Sequence, residues 1–339
     1  MSAAARAAPI SSGVDQLVTI VIPTLNEERS ISSCLDSVLS QTYSQIEVLV
    51  LDGGSDDRTR AIVENYASRD ARVMLLENPR RIQSAAMNMG LEAARGVYLV
   101  RIDAHATVAP TYIASAVAHL STGEWGGVGG RKDAVGFTPT GRAIAAVLGS
   151  PFGVGNSAYH HATSSQTVDH IPFGCYVTDA AREIGGWSEQ YSVNEDFEFD
   201  LRMRTSGRPL LLDPSMVIAW EGRPTIKLLA RQYRRYGRGK SKVVLAHPAA
   251  TSPRHLAAPG IVAMLALAAL IAPWRPKWSF ALVAPYLFVL TAGSISVAAT
   301  LPTPEERRAV PAALAAMHLS WGVGFWEGIA GADVVQRSR

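Results

Sequence analysis

Four times within the first 110 residues a short aliphatic run gives way to a polar loop and then to a helical pattern. That alternation constrains the fold more than any other feature of the chain. Leu17–Ile22 (LVTIVI) stops at Pro23 and is followed by the polar loop Thr24-Leu25-Asn26-Glu27-Glu28; Ile31, Leu35, Val38 and Leu39 then recur at helical spacing. Ile46–Leu51 (IEVLVL) predicts a second strand, closed by Asp52-Gly53-Gly54-Ser55-Asp56-Asp57, before a helix with Ile62, Val63 and Tyr66 on its apolar side. Arg72–Leu76 reads as a third strand, Ser84–Arg95 as a third helix and Val97–Ile102 as a fourth strand ending at Asp103. Short apolar runs bounded by turn residues and alternating with helices predict an α/β fold with a parallel, doubly wound sheet.

In such sheets ligands bind beyond the carboxyl ends of the strands. Three of the four runs end in acids: Glu27 and Glu28; Asp52, Asp56 and Asp57; and Asp103. Turn chemistry accounts for Asp52-Gly53-Gly54 taken alone, but not for acids recurring at one edge of the sheet. Neither GxGxxG nor GxxxxGK[ST] follows the first strand, so the dinucleotide fingerprint and the phosphate-cradling loop are both absent from the sequence. A nucleotide bound here needs its charge offset by other means. A divalent cation, Mn²⁺ or Mg²⁺, held by carboxylates is the expected one.

Composition enters through its unevenness. Hydrophobic residues make up 48% of the 339 residues and charged residues 18%, and charges become scarce beyond His255. Leu256–Pro273 and Trp278–Leu301 contain no charge, Ala309–Ala330 contains one acid, Glu327, and Trp274, Trp278, Trp321 and Trp326 sit near the ends of these stretches. A helix of roughly 20 apolar residues spans a bilayer, and Trp concentrates at its interfaces. The expected organisation is a disordered N-terminus over 1–16, a catalytic domain over 17–242 and a linker over 243–255. A membrane region of up to three helices over 256–330 and a tail over 331–339 follow. Three buried helices of a soluble bundle, or helices lying in the interface, are the alternatives. The run Arg231–Lys242 (RQYRRYGRGKSK) has no acid, which points to a catalytic domain on the cytoplasmic side of the cell (inner) membrane. The net charge of +3 says little about partners, and Cys34 and Cys175 offer neither a disulfide framework nor a metal cluster.

The run VTIVIPTLNEERSISSCLDSVLSQTYSQIEVLVLDGGSDDRT resembles the opening of family 2 glycosyltransferases, which have the GT-A fold. Ala85–Gly90 (AAMNMG) looks like that family's A-x-N-x-G segment, and Asp103-Ala104-His105 stands at its D-x-D motif. Asn194-Glu195-Asp196 looks like its E-D motif, and Gln232-Tyr233-Arg234-Arg235-Tyr236 resembles Q-x-x-R-W. Five motifs in order cover roughly residues 17–240. The RIDAH form with C-terminal apolar segments is most similar to bacterial exopolysaccharide enzymes of the succinoglycan-biosynthesis type. The resemblance implies a mixed, mostly parallel GT-A sheet flanked by helices, followed by C-terminal transmembrane or membrane-embedded helices. It also implies an inverting transferase that moves one sugar from a nucleoside-diphosphate donor, with uridine the expected base.

By the same resemblance Pro23, Thr24, Asn26, Glu27 and Asp52 serve the nucleoside, and Asp103 the diphosphate through a cation. Asp196 is the base, with Glu195 second. Arg80 or Arg81 reaches the base or phosphates, and Gln232 and Arg235 clamp the diphosphate or acceptor from a loop beside the membrane. The chemistry asks for these types: cations must meet the leaving diphosphate, and a carboxylate must take the acceptor's proton. An acid in a helix's first turn is also favoured by the helix dipole, so capping alone would explain Asp196. His105 replaces the second Asp of D-x-D; imidazole suits Mn²⁺ better than Mg²⁺, and metal ligation, a phosphate contact and loop capping stay open for it. The Gly-, Ser- and His-rich stretch Gly126–His170 has no metal-binding spacing and is expected to wall the acceptor side.

The expected partners are a nucleotide sugar, a lipid-linked or other saccharide acceptor, and the membrane, without nucleic acid. A polyprenyl-phosphate acceptor and an inactive scaffold on the same fold are the competing readings.

Overall fold

The computed structural model describes residues 16–191, 193–248 and 251–337. Except for its last residue, the N-terminal segment expected to be disordered lies outside them. The chain forms two compact units: residues up to Lys132 with Ala162–Trp220, and Asp133–His161 with the chain from Glu221 onward.

In the first unit β1 (Val18–Thr24), α1 (Ile31–Leu39), β2 (Ile46–Asp52), α2 (Thr59–Arg69), β3 (Val73–Glu77), α3 (Gln83–Ala93) and β4 (Tyr98–Arg101) alternate. The four strands pair in parallel in the order β3-β2-β1-β4, with Val18 facing Ile46 on one side and Tyr98 on the other. Every residue of β2 is buried, which is why its sequence is a continuous apolar run: both faces of a parallel sheet are covered.

Then come β5 (Ala106–Val108), α4 (Tyr112–Leu120) and β6 (Gly127–Val135). After an excursion through α5 (Pro139–Leu148) and α6 (Pro151–Val154), the chain returns with β7 (Gln166–Val168), β8 (Cys175–Val177), α7 (Thr178–Glu183), α8 (Glu195–Thr205) and β9 (Leu210–Glu221). β8 runs antiparallel between β4 and β6, and the sheet continues β6-β9-β5 with β7 also on β9. The sheet is mixed, its N-terminal half parallel.

Two residues of the segment AAMNMG show why it reads as it does. A Cβ on Gly90 would stand 2.6 Å from both Cγ atoms of Val21, so only glycine lets α3 lie this close to β1. Asn88 accepts from the Trp187 backbone N–H (2.7 Å) and donates to the Trp187 carbonyl (2.8 Å). Trp187 in turn stacks on Phe199 of α8 at 4.0 Å, and Tyr176 meets Phe199 edge-on at 4.9 Å. These rings join Val21, Leu49, Met87, Leu99 and Met203 in one apolar core. That core fixes α8 and the acids at its start.

The second unit holds α5, α6, α9 (Ile226–Ala246), α10 (Arg254–Ile271), α11 (Pro276–Ala298) and α12 (Pro304–Arg337). Thr138 caps α5 by accepting from Gly141 N–H at 2.9 Å, with Pro139 at the first helical position. α9 and α12 pack backbone to backbone: a Cβ on Gly237 would meet the Trp321 carbonyl and one on Gly324 the Arg234 carbonyl. Glu327 pairs with Arg234 and Arg238 across the same contact.

Several expectations change at this level. The segment around Gln232 and Arg235, expected as a loop, is the interior of a 21-residue helix; Gly237 and Ser241 bury against α12 while Arg231, Arg235 and Lys242 face outward. Helix α9 enters the expected linker and α12 runs on to Arg337. Among the described residues two helices, α10 and α11, are long and apolar enough to cross a membrane, with mean hydropathy 1.7 and 1.9. Leu270, Trp274, Trp278, Phe280, Phe288 and Ile295 are exposed on or beside them. The third apolar stretch lies in α12, which begins with Glu305, Glu306, Arg307 and Arg308 and carries Glu327, and does not meet that test.

Candidate active site

The carboxyl ends of β1 and β2 are tied into one double loop. Thr24 pairs with Asp52 in the strand register, and Gly53 N–H donates to the Thr24 carbonyl at 2.8 Å. Asp52 is buried, and its carboxylate accepts from the Ser55 hydroxyl (2.5 Å) and backbone N–H (3.2 Å). Asn26 adopts φ 57°, where its side chain accepts from Asp56 N–H at 2.9 Å and its own N–H reaches Ser55 Oγ at 2.9 Å. Asn tolerates this left-handed backbone better than most side chains, which accounts for the Asn of LNEE. Pro23, Thr24, Asn26 and Asp52 are thus gathered on adjoining loops. Arg81 joins them by an unexpected route: it donates from Nε to the Gly53 carbonyl and from Nη2 to the Gly54 carbonyl, each at 2.7 Å. Arg80, which neighbours it in the chain, is taken by Glu189 at 2.7 Å.

At the end of β4 lies a cluster whose central residue belongs to none of the five motifs. Arg101 is 7% exposed. It donates from Nε to Asp103 Oδ1 at 3.0 Å, while its Nη1 lies 3.5 Å from Glu195 Oε1 and 3.8 Å from Asp196 Oδ2. One guanidinium therefore separates the carboxylate of the D-x-D position from both acids at the start of α8. Burial works against the charge of Arg101, but Asp103, Asp196 and Glu195 outweigh it and hold the group charged.

The two helix acids differ. Glu195 is 5% exposed; burial first, then the neighbouring Asp196 charge, pushes its pKa up to about 7. The Asp196 side chain is 32% exposed and accepts from Phe197 N–H at 2.8 Å. The inner acid holds a proton more tightly than a free carboxyl does, and Asp196 is the more accessible of the two. On the far side of Asp196, His170 Nε2 lies 3.8 Å from Oδ2, and His170 Nδ1 lies 2.7 Å from Oδ2 of the fully buried Asp200.

Asp103 Oδ1 also accepts from Gln83 at 3.0 Å; among the described residues Oδ2 has no hydrogen-bond partner. His105 Nδ1 lies 3.0 Å from Glu27 Oε1, and Ser30 donates to the other Glu27 oxygen at 2.6 Å. Burial raises the Glu27 pKa, but the bonds from His105 and Ser30 more than reverse this and hold it below its usual range. An ionised Glu27 can only accept, so Nδ1 carries a proton and Nε2 is left for another partner. A carboxylate behind the imidazole is the arrangement that orients histidine ligands of metals.

Among the described residues no group of three or more His, Cys, Asp and Glu is arranged to hold a metal ion. One carboxylate oxygen and one imidazole nitrogen nonetheless suit a cation that arrives with phosphates, because such ions are bound through one or two protein ligands plus substrate oxygens. Glu27 is therefore turned to His105 rather than to the Asp52 loop. Beside His105 stands Trp220, ring centroids 6.3 Å apart, and Lys132 Nζ lies 4.2 Å over the Trp220 ring and 4.9 Å over Phe173. Phe173 precedes β8 with φ 47°, a costly conformation for a bulky residue.

The remaining motif residues belong to the other unit. Gln232 is buried on α9, donating to the Tyr236 hydroxyl at 2.8 Å; among the described residues its Oε1 has no hydrogen-bond partner. Arg235 is exposed. Lys240 is buried and Arg238 is paired with Glu327.

Known proteins share both the sequence and the fold. The family model described as Glycosyl transferase family 2 matches residues 19–164, and Glycosyl transferase family group 2 matches residues 98–295. The chain is 34% identical over 312 residues to the succinoglycan biosynthesis protein ExoA of Rhizobium meliloti, covering 91% of this chain and 93% of that one. It is 24% identical over 237 residues to a Methanococcus voltae enzyme, covering 67% and 74% respectively; that enzyme is named dolichyl N-acetyl-α-D-glucosaminyl phosphate 3-β-D-2,3-diacetamido-2,3-dideoxy-β-D-glucuronosyltransferase. The mannosyltransferase PcManGT of Pyrobaculum calidifontis, solved with GDP-Man and Mn²⁺, superposes with a TM-score of 0.61 over 95% of this chain and 89% of its own, at 20% identity. That likeness speaks for the fold alone.

Proposed function

This chain belongs to glycosyl transferase family 2, and we propose that it moves one sugar, with inversion, from a nucleoside-diphosphate donor to a lipid-linked saccharide during polysaccharide assembly. The observation that carries the reading is Arg101, whose guanidinium touches Asp103 on one side and Glu195 and Asp196 on the other. Two carboxylates with separate tasks thus flank one point.

Asp196 takes the proton of the acceptor hydroxyl as that oxygen attacks the anomeric carbon from the side opposite the diphosphate. Its exposure and the raised pKa of Glu195 favour it over its neighbour. Asp103 and His105 would hold a divalent cation, which when bound offsets the charge gathering on the leaving diphosphate. The Glu27–His105 pair keeps Nε2 turned to that task. Pro23, Thr24, Asn26 and Asp52 frame the nucleoside, and Arg81 keeps the Gly53-Gly54 turn in shape for it. The unsatisfied Gln232 carbonyl is suited to an acceptor hydroxyl, and Arg235 to a phosphate.

A lipid-linked acceptor is supported by α10 and α11, which could anchor the chain in a membrane, and by the dolichyl-phosphate-linked sugar in the name of the Methanococcus voltae relative. The basic outer face of α9 supports a cytoplasmic catalytic unit. The test uses full-length protein in detergent with a panel of nucleotide sugars, lipid extract, and Mn²⁺ or Mg²⁺, scoring free nucleoside diphosphate and label in the lipid phase. Turnover of one donor, abolished by Asp103→Ala, is expected. Absence of turnover with every sugar would point to an inactive scaffold.

A further inference from the structure

Asp200 follows Asp196 by one helical turn on α8, so both project from the same face. Its buried carboxylate collects three donors: His170 Nδ1–H at 2.7 Å, Ile171 N–H at 2.9 Å and the Tyr176 hydroxyl at 2.7 Å. Burial holds the pKa of Asp200 above its usual value, and the bonds from His170, Ile171 and Tyr176 offset only part of that. Three donors converging on two oxygens are satisfied by a carboxylate. A carboxylate accepts only, so His170 Nδ1 must bear a proton, which fixes the tautomer and turns Nε2 toward the other side of the ring. On that side Asp196 Oδ2 stands 3.8 Å away. His170 packs against Phe197, ring centroids 5.9 Å apart, and its side chain is 12% exposed. This pair spans the chain from before β8 to the middle of α8, and the transfer reaction needs neither of its members as base or cation ligand.

We propose that His170, oriented by Asp200, serves the base: its unprotonated Nε2 accepts the proton that Asp196 removes. The inference rests on the reading of Asp196 as base. As the new bond forms between the acceptor oxygen and the anomeric carbon, the bond from that carbon to the diphosphate breaks, and the hydroxyl proton passes to Asp196 Oδ2. It moves on to His170 Nε2, giving an imidazolium whose Nδ1–H stays on Asp200. Water then takes the Nε2 proton, and both side chains return to their starting states. A gap of 3.8 Å is longer than a hydrogen bond, as is common for catalytic contacts before substrate binds.

The test compares wild type, His170→Gln, His170→Ala, Asp196→Asn and the double variant His170→Ala/Asp196→Asn. All are full-length in detergent, assayed with the nucleotide sugar selected by the panel and with lipid extract. His170→Gln keeps a polar group at the position but cannot carry a proton. Both His170 variants are expected to lose at least about tenfold in kcat, short of the ~10²–10⁴-fold loss of the base itself, with donor KM within about twofold of wild type. Millimolar imidazole should restore part of the rate in His170→Ala and none in His170→Gln, a response that a purely structural histidine would not give. The double variant should be no slower than Asp196→Asn, because both changes act through one group.

Wild-type kcat in His170→Gln, or losses that multiply in the double variant, would overturn this inference while leaving the proposed transferase standing. Indifference to Asp196→Asn would overturn both.

Discussion

Replacing Glu195 by glutamine should make the protein more stable above neutral pH while leaving it unchanged in acid. Glu195 lies at the base of α8, 5% exposed, with Asp196 beside it and Arg101 3.5 Å away. Burial and the Asp196 charge raise its pKa from 4.5 to about 7. The folded state therefore holds this proton more tightly than the unfolded chain does. The stability associated with it is fully present below pH ~4.5 and is lost as pH rises through ~7.

At about 1.4 kcal/mol per pKa unit, the loss reaches roughly 3 kcal/mol, of which about 2–3 kcal/mol falls between about pH 5 and pH 8. Because the side chain is almost fully buried, little of this is screened by solvent. Glutamine mimics the protonated acid and has nothing to lose. Thermal unfolding of both proteins in the same detergent, followed across that pH range, should show the two melting temperatures diverging by roughly 5–10 °C, the variant higher at the alkaline end. A constant gap across the range, or a variant less stable than wild type at high pH, would refute the claim that this carboxyl is held protonated by its surroundings. With that claim would go the main ground for preferring Asp196 over Glu195 as the base.

Asp196→Asn should lower kcat about 10²–10⁴-fold at nearly constant donor KM in steady-state transfer assays; retention of most activity would instead indicate a phosphate acceptor, which needs no strong base. Chelation with EDTA should abolish release of nucleoside diphosphate, with Mn²⁺ restoring more than Mg²⁺, and His105→Ala should narrow that preference by removing the nitrogen donor. Phe199 is fully buried, stacked on Trp187 at 4.0 Å and met edge-on by Tyr176; Phe199→Ala should destabilise by roughly 3–5 kcal/mol in chemical denaturation. Its activity should fall with the position of α8 even where folded protein remains.

The parts of the site that were legible in the sequence are those set by local rules. A strand covered on both faces must be a continuous apolar run and must stop at a turn, so the ends of β1, β2 and β4 and the acids Asp52 and Asp103 could be located by eye. The Asn and Gly of AAMNMG also carry visible causes, one clamping the Trp187 backbone and the other letting α3 close on Val21. Less legible was the direction of long side chains. Arg81 looks directed wholly at a nucleotide, but its Nε and Nη2 donate to the Gly53 and Gly54 carbonyls. The run from Arg231 looks like a basic loop because its charges face outward, while the residues that bury against α12 are small and carry little hydrophobic signal.

By itself the sequence determined an α/β catalytic unit with acids at one edge of a parallel sheet, an acid-headed helix later in the chain, and apolar helices at its end. Tertiary structure alone decided that Arg101 joins Asp103 to Glu195 and Asp196, far along the chain, that Glu195 is the inner acid and Asp196 the outer, and that His170 lies between Asp200 and Asp196. The division has a physical cause. Periodicity and turn chemistry act between residues a few positions apart, whereas the pairing of distant charges depends on β8 entering the sheet antiparallel beside β4, a strand order no local pattern encodes.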